Sequence, residues 1–399
     1  MKKLLFVLAL LMLLSGCSSV QREEPAETTA TTLYYGTTKR TKATLPEPAT
    51  EESDLLPPEA PEINFTGLTD MGAIQKQGNI PSNLGAFAFS GLVCPDEERS
   101  CTYISAIGYD NLLHKFVDGK DEGVIFDKTV WAVNVWDGMI YCLADSDEPV
   151  PEIKMGGFMN TDNGGDIYRI NPDTKETEFI LDSNAVDLYI ADGVLYYTKR
   201  SWGKPRLADF ETFTCSLSGE NSESLGTAVI GFCGKYLAVY DDECDYYGQF
   251  LDTETGERIP FTDEYGVRCF SVSGDKAYYC NGDIFELNLI TGEERNIEPP
   301  QEFCNGYAVM GDDIYCGWVA TYIVSPEFSR EQGAKLWTHY ESDLKRLQND
   351  RISAGYYEPY YTDGERIYVM KQHPESGLFM LVQLEYDHET MTNREVPIL

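Results

Sequence analysis

A recurring hairpin motif, the even spacing of its turns and the scarcity of helical periodicity predict an all-β fold, a β-propeller. Short apolar runs joined by a tight turn recur as VNVWDGMIYC, LYIADGVLYY, FSVSGDKAYYC, YAVMGDDIYC and YYTDGERIYV. The turns are 37 to 55 residues apart and lie near Glu98, Gly138, Gly193, Gly234, Asp275, Asp312 and Gly364. Seven turns predict seven blades, with six or eight as alternatives.

Most units contain a second hairpin, as in IYRINPDTKETEFI, FLDTETGERIPF, IFELNLITGEERNI and LVQLEYDHETMTNREV. Its alternating apolar and polar residues, broken by Asp, Thr and Gly, are typical of antiparallel strands. Each unit is therefore a sheet of four short strands with two apolar faces. Stacking such sheets around an axis covers both apolar faces. A two-layer sandwich is the alternative architecture, and it agrees less well with the spacing of the hairpin turns.

The N-terminus has the pattern of an export signal. Residues 1–16 hold two lysines, an apolar run and a small-residue site before Cys17, and the run is too short to span a bilayer stably. LSGC resembles the lipobox of bacterial lipoproteins, which implies that Cys17 is lipidated after cleavage. The alternative is an ordinary secretory signal with an incidental cysteine.

The sequence after Cys17 predicts a disordered tether followed by one folded body. Residues 17–61 are rich in Thr, Pro and Glu and bury too little apolar surface to fold, whereas residues 62–399 contain the repeats. The chain has a net charge of −35, or −37 without Lys2 and Lys3 of the signal. This charge argues against nucleic acid as a partner and against docking on anionic lipid.

The repeats resemble those of bacterial surface lipoproteins whose propellers are of the low-density-lipoprotein-receptor-like or quinoprotein-like type. The resemblance spans the chain from Gly85 onwards, and DTETGE at Asp252 is similar to the Asp–Thr–Gly turn of quinoprotein-like blades. Trp136-Asp137 lies in a turn rather than at a blade end, and Tyr-Trp-Thr-Asp is absent from the sequence. The resemblance implies the fold and no activity.

The positions of the cysteines suggest two disulfides in an exported protein. Cys94 and Cys101 flank the first predicted turn, and pairing across the SGDK turn places Cys269 opposite Cys280. Opposed residues on antiparallel strands are close enough to bridge after a small adjustment. Cys142 instead occupies a repeat position that is Tyr in other units, which indicates a buried apolar residue.

No cofactor is predicted, although calcium is left open. The histidines are scattered and Cys-x-x-Cys is absent, which argues against zinc. Carboxylate-rich segments such as TDNGGD, with Asp162, Asn163 and Asp166, offer oxygen ligands of the kind calcium takes, but turn formation explains them equally.

A ligand surface is predicted where long insertions join the second and third strands of several blades. The insertion KRSWGKPR places positive charge around an aromatic ring in an acidic body, which suits an anionic or saccharide ligand. Aromatic residues of the insertion after Cys316 extend the same surface. The predicted ligand-binding residues are Lys199, Arg200, Trp202, Lys204, Arg206, Trp318 and Tyr322.

These features favour a lipoprotein anchored in the cell membrane by Cys17 and facing the extracytoplasmic space, at the cell surface or in the periplasm. It would act as a non-catalytic ligand-binding or scaffold propeller for a cell-envelope glycan, peptide or protein. One alternative is a glycan-acting hydrolase or lyase that uses the same rim, since its carboxylates could serve as acid and base, although no catalytic residues are identified. Another is a structural subunit of an envelope assembly.

Overall fold

The computed structural model describes residues 63–68, 70–84, 91–105, 112–145, 164–200, 210–240, 247–267, 269–281, 283–297, 307–310, 313–316, 322–324, 356–372, 379–387, 392–396 and 398. The predicted signal peptide, Cys17 and all of the predicted tether therefore lie outside the described residues, as do Trp202, Lys204, Arg206, Trp318, Asp162 and Asn163. Arg200, Tyr322 and Cys269 are described only as strand positions.

The described residues form 26 strands and one short 3-10 helix, Pro81–Asn83. Blades 1 to 3 contain β1 (Val93–Asp96), β2 (Cys101–Ile104), β3 (Leu113–Val117), β4 (Lys120–Phe126), β5 (Val130–Trp136), β6 (Met139–Ala144), β7 (Gly165–Ile170), β8 (Thr177–Ala191), β9 (Val194–Arg200), β10 (Phe210–Ser216) and β11 (Glu223–Ser224).

Blades 4 to 7 contain β12 (Ala228–Cys233), β13 (Tyr236–Tyr240), β14 (Tyr247–Asp252), β15 (Arg258–Tyr265), β16 (Cys269–Ser273), β17 (Lys276–Cys280), β18 (Ile284–Asn288), β19 (Glu294–Asn296), β20 (Tyr307–Met310), β21 (Asp313–Cys316), β22 (Tyr322–Val324), β23 (Tyr356–Thr362), β24 (Ile367–Gln372), β25 (Phe379–Asp387) and β26 (Thr392–Val396).

These strands pair as seven antiparallel blades, so the predicted all-β propeller and its blade count are confirmed. Blades 1, 4, 5 and 7 are separate four-stranded sheets, and three strands of blade 6 are described. Blades 2 and 3 share the long strand β8, which pairs with β7 before Ala185 and with β9 after it. One strand thus serves as the outer strand of blade 2 and the inner strand of blade 3.

Neighbouring blades contact each other in a closed ring, chiefly through their inner strands. Strand β1 contacts β5, β5 contacts β8, β12 contacts β16, β16 contacts β20, and β20 contacts β23. Blade 4 meets blade 3 through β10, and β23 returns to β1. One apolar cluster includes Tyr361 and Tyr368 of blade 7 together with Val93 of blade 1, so packing of side chains closes the ring. We name the strands of each blade A to D, from inner to outer.

Turn chemistry explains the repeated hairpins. Two A–B turns are the pairs Asp137-Gly138 and Asp192-Gly193, and all four residues have positive φ, as a two-residue type I′ turn requires. In the C–D turns, one side-chain oxygen accepts two backbone N–H groups, as Asp252 Oδ1 does from Glu254 at 2.8 Å and Thr255 at 3.1 Å. Asn171 and Asn288 do the same in blades 2 and 5.

The strand register shows which residues lie opposite the cysteines of the two predicted disulfides. Cys94 lies opposite Tyr103, and Cys101 lies opposite Asp96, so the expected facing of Cys94 and Cys101 is wrong, and both are unbridged thiols. The cause is the turn of residues 97–100, which includes Ser100 with positive φ and shifts the pairing by two residues. Cys269 and Cys280 do lie directly opposite each other. Their disulfide stays a prediction.

The predicted buried Cys142 is confirmed. Its side chain is fully buried between blades, at the position that Tyr197 and Tyr279 occupy in blades 3 and 5. Burial raises the pKa of its thiol well above the ordinary range, which keeps the group protonated and unreactive. The residue is therefore part of the apolar core.

The residues before the first blade form an extended arm, which we define as residues 63–84. It crosses the rim that carries the A–B turns. Its backbone bonds to blade 5 (Leu68 N to Leu289 O, 2.6 Å), to blade 4 (Lys235 N to Met71 O, 2.7 Å) and to blade 3 (Gly78 N to Ile190 O, 2.8 Å). No role for this arm could be predicted from the sequence, because the arm lacks the period of a strand or a helix.

Two buried asparagines fix the end of the arm among the inner strands. Asn79 Nδ2 donates to Val133 O at 2.6 Å and to Val93 O at 3.0 Å. Asn83 Nδ2 lies 2.9 Å from Val93 O and 2.8 Å from Thr362 O, and Asn83 Oδ1 accepts from Thr362 N at 2.8 Å. The arm therefore ties blades 1, 2 and 7 together at the centre of the ring.

Candidate functional site

The rim predicted to bind a ligand lies opposite the arm. Because neighbouring strands are antiparallel, the B strands end and the C strands begin at the rim opposite the A–B turns. In blades 2, 3 and 7 these ends are separated by residues 145–164, 201–209 and 373–378. Long connections between fixed strand ends are a common way to build a binding surface.

The expected insertion of blade 6 is divided differently. The segment after Cys316 was expected to join strands B and C as one insertion, yet Tyr322 begins strand β22, which pairs with β21. The connection between these two strands is therefore only residues 317–321. The run Tyr322–Val324 contains β-branched residues that favour a strand, and it forms one. Tyr322 is thus a strand residue and not an insertion residue.

Lys199 and Arg200 form the end of β9, at the start of the basic insertion. The Lys199 ammonium lies 5.1 Å from the centroid of the Phe213 ring and 5.4 Å from that of Tyr197. These are cation–π distances, and they hold the lysine against the surface of blade 3. Glu211 lies directly opposite Lys199 on β10. The lysine is therefore positioned by packing within its own blade, beside the predicted surface.

The opposite rim contains a cleft that the sequence did not predict. Its volume is about 480 Å³, within the range of small-molecule sites. One wall is the arm from Met71 to Pro81, and the other walls are the A–B turns of blades 1, 2, 4 and 5. The lining combines apolar side chains, such as Phe232 and Val272, with the carboxylates of blades 1 and 2.

Hydrogen bonds and ring contacts fix the arm side of this cleft. Asp192 Oδ1 accepts from Lys76 N at 3.0 Å, and Asp192 N donates to Lys76 O at 2.9 Å. The Lys76 ammonium lies 5.1 Å from the centroid of the Trp136 ring. On blade 1, the Asp96 carboxylate accepts hydrogen bonds from the Arg99 guanidinium and from the Tyr103 hydroxyl.

Buried acceptors remain on both glutamines that flank Lys76. The side-chain oxygens of Gln75 and Gln77 are buried, and neither has a hydrogen-bond partner in this structure. Both residues line the cleft. Cys233 also lines it, and burial raises the pKa of this thiol to about 12, so the thiol is neutral at physiological pH.

The described residues also bear on metal binding and on membrane crossing. Within the described ranges, no three His, Cys, Asp or Glu side chains are grouped so that they could hold a metal ion. Asp166 of the expected calcium segment is buried in β7. The described part of the chain also contains no helix with the length and apolar character needed to cross a membrane.

Comparisons with known proteins return structures but no sequence relatives. No family model and no curated protein matches the sequence. Similar solved structures include "YCF48 bound to D1 peptide" (10% identity, 81% of this chain and 99% of that chain, TM-score 0.44) and Kluyveromyces lactis Hsv2 (11%, 79% and 98%, TM-score 0.44). A third is XC5397 from Xanthomonas campestris, titled a gluconolactonase (11%, 67% and 92%, TM-score 0.39). Similarities of this degree indicate nothing about function, and the propeller assignment follows from the strand order and the contacts between blades.

Proposed function

We propose that the protein is an exported lipoprotein, anchored through Cys17, whose propeller binds a cell-envelope ligand without catalysis. The observation that favours this proposal is the placement of the B–C strand ends. In five blades they frame connections of six to twenty residues on one rim, and the arm occupies the other rim. A rigid closed ring with its long connections gathered on one rim is suited to recognition.

The basic insertion of blade 3 is the part of this rim to which we assign the ligand. It starts at Lys199 and Arg200 and continues through Trp202, Lys204 and Arg206. Positive charge around an indole ring suits an anionic glycan, through charge-assisted hydrogen bonds and stacking on the sugar. Trp318 would extend this surface from blade 6. Calcium stays open as a bridging ion for such a glycan.

A glycan array with the protein from residue 62 to residue 399 tests the proposal. The unchanged protein is expected to bind acidic glycans, and Arg200→Ala with Trp202→Ala is expected to reduce that binding at least tenfold. The pair should change the free energy of unfolding by less than about 0.5 kcal/mol, as surface substitutions usually do. Arg295→Ala, which removes an exposed charge from β19, serves as the control.

Three outcomes of these binding and stability measurements would contradict the proposal, each in a different way. Equal binding by the double variant and by Arg295→Ala would refute the assignment to this insertion. Stability loss above about 2 kcal/mol would mark the insertion as structural. Turnover of an arrayed glycan would establish an enzyme in place of a binding protein.

A further inference from the structure

The arm consists of two parts that differ in burial, which we call the outer part (residues 65–77) and the inner part (residues 78–84). In the outer part, residues 72–74 and Lys76 are exposed, and Ile74 is 80% exposed. Five of the seven residues of the inner part are buried, namely Gly78, Asn79, Ser82, Asn83 and Leu84. The burial of the arm therefore changes at residue 78.

The outer part is held at separate points on the turns of three blades. The Leu68 backbone donates to blade 5, the Met71 carbonyl accepts from blade 4, and Lys76 exchanges two hydrogen bonds with Asp192 of blade 3. Leu68 is also buried, in one apolar cluster with residues of blades 4 and 5. Because these points lie on different blades, each can be released without the others.

Two glycines of the ring are required by the seated outer part. A Cβ on Gly234, in the A–B turn of blade 4, would lie 1.9 Å from Met71 O. A Cβ on Gly292, in the C–D turn of blade 5, would lie 2.7 Å from Phe65 O. Both distances are shorter than nonbonded atoms allow, so a side chain at either glycine conflicts with the arm. The ring therefore contains a seat that is shaped for the outer part.

The inner part contacts the inner strands of all seven blades. Its two asparagines bond to blades 1, 2 and 7, and Ser82 Oγ lies 3.4 Å from Val309 O of blade 6. The 3-10 helix contacts β16 of blade 5, and Leu84 packs in one apolar cluster with Tyr189 of blade 3 and Phe232 of blade 4. Release of the inner part would therefore disturb every blade, whereas release of the outer part disturbs turns of three blades.

The order of the chain determines which part of the arm bears a load first. The predicted tether joins the arm at its N-terminal end, so tension on Cys17 reaches the outer part before the inner part. The contacts of the outer part are loaded one after another, from blade 5 to blade 4 to blade 3. The inner contacts bear the load only after the outer contacts are lost.

We propose that the arm is a two-part strap, whose outer part detaches under tension and reseats when the tension falls, while the inner part keeps the ring closed. The physiological use of this strap rests on the anchoring through Cys17 proposed above. Detachment frees thirteen residues, whose extended length of about 45 Å is the most that the connection between anchor and ring can gain. It removes one wall of the cleft and leaves the predicted ligand rim unchanged.

Optical tweezers test this proposal on the full chain in detergent, held by peptide tags inserted directly after Cys17 and at the C-terminus. A first, reversible extension of at most about 45 Å is expected at a lower force than the opening of the ring. Release of arm and ring in a single step would refute the strap, as would a first extension that does not recover on relaxation. The measurement does not require a lipid, so a result against the strap and a result against lipidation of Cys17 are separate.

Matched alanine variants test the seat. Gly234→Ala is expected to lower the force of the first extension at least twofold, or to abolish that extension. Gly274→Ala is the control, because Gly274 occupies the same place in the A–B turn of blade 5, with φ of +63° against +57°, and no atom of the described residues beyond its chain neighbours lies within 4 Å of a Cβ placed there. Alanine is strained in the left-handed region at both positions, so the difference between the variants reports the contact with the arm. Equal first-step forces in the two variants would refute the seat.

A second pair keeps the test decisive if Gly234→Ala disturbs its own hairpin. Gly292 and Gly256 lie in the C–D turns of blades 5 and 4, with φ of +72° and +74°, and a Cβ on Gly256 meets no described atom within 4 Å. In amide hydrogen exchange of the full chain, Gly292→Ala is expected to speed exchange at least tenfold in the outer part and less than twofold in the inner part. Gly256→Ala should change neither part by more than twofold. Equal acceleration of both parts by Gly292→Ala would show that the arm moves as one unit and would overturn the proposal.

Discussion

Replacing Asn83 with alanine is the sharpest test of how the ring is closed. The Asn83 side chain is 2% exposed, and its amide contacts the backbone of Val93 in blade 1 and Thr362 in blade 7. The change removes three bonds of 2.8 to 2.9 Å to the backbone and a fourth, of 3.0 Å, to Asn79 Oδ1. Each neutral bond contributes about 1 kcal/mol net, and leaving buried partners unsatisfied costs more. We expect Asn83→Ala to lower the free energy of unfolding by about 4 kcal/mol.

Urea unfolding followed by tryptophan fluorescence measures this loss, with an unchanged slope as the condition for comparing free energies. Asn296→Ala is the matched control, because the Asn296 amide donates to Asp283 at 3.2 Å on the exposed outer strand of blade 5. The control should lose less than about 0.5 kcal/mol. A loss below about 1 kcal/mol for Asn83→Ala, or equal losses for both variants, would refute the idea that the arm ties blade 7 to blade 1.

Two further predictions concern pH dependence and anchoring. Partial desolvation of its carboxyl raises the pKa of Glu294, an exposed residue of β19 that interacts with the Tyr279 hydroxyl, so the folded state favours its protonated form. Its contribution to stability is present below the unfolded pKa and is lost as the pH rises through the folded pKa. Glu294→Gln should therefore stabilise the protein at pH 7 and have little effect at pH 4 in urea unfolding; equal effects at both values would contradict this reasoning. Radiolabelled palmitate should be incorporated into the full chain and lost in Cys17→Ser, and persistent labelling of that variant would refute the anchor.

The blades could be predicted from the sequence because their determinants are local. Asp-Gly pairs set the A–B turns at Gly138 and Gly193, and Asn or Asp followed by Thr sets the C–D turns. The residues that determine the geometry of each hairpin therefore lie within about a dozen positions of one another. The first hairpin was mispaired because its turn contains Ser100 in the left-handed region, and no glycine marks that turn in the sequence.

The arm and its cleft could not be predicted, because their determinants are distant in sequence. Asn83 and Thr362 are 279 residues apart, and the hydrogen bond between them follows no local pattern. The cleft combines A–B turns from four blades with Gln75 and Gln77, which read in the sequence as ordinary polar residues. The basic insertion of blade 3, by contrast, could be recognised from its composition, and its role stays a prediction.

Ring closure and the cleft depend on the same arm. Among the described strands, blade 7 consists of the consecutive strands β23 to β26, and the contact of β23 with β1 is reinforced by the asparagines of the arm. Any ligand that needs the seated arm binds more weakly only as the seated fraction falls. Asn83 lies outside the cleft lining, so Asn83→Ala should disturb the cleft only as far as it unseats the arm, and this dependence links ring closure and the cleft to one segment of the chain.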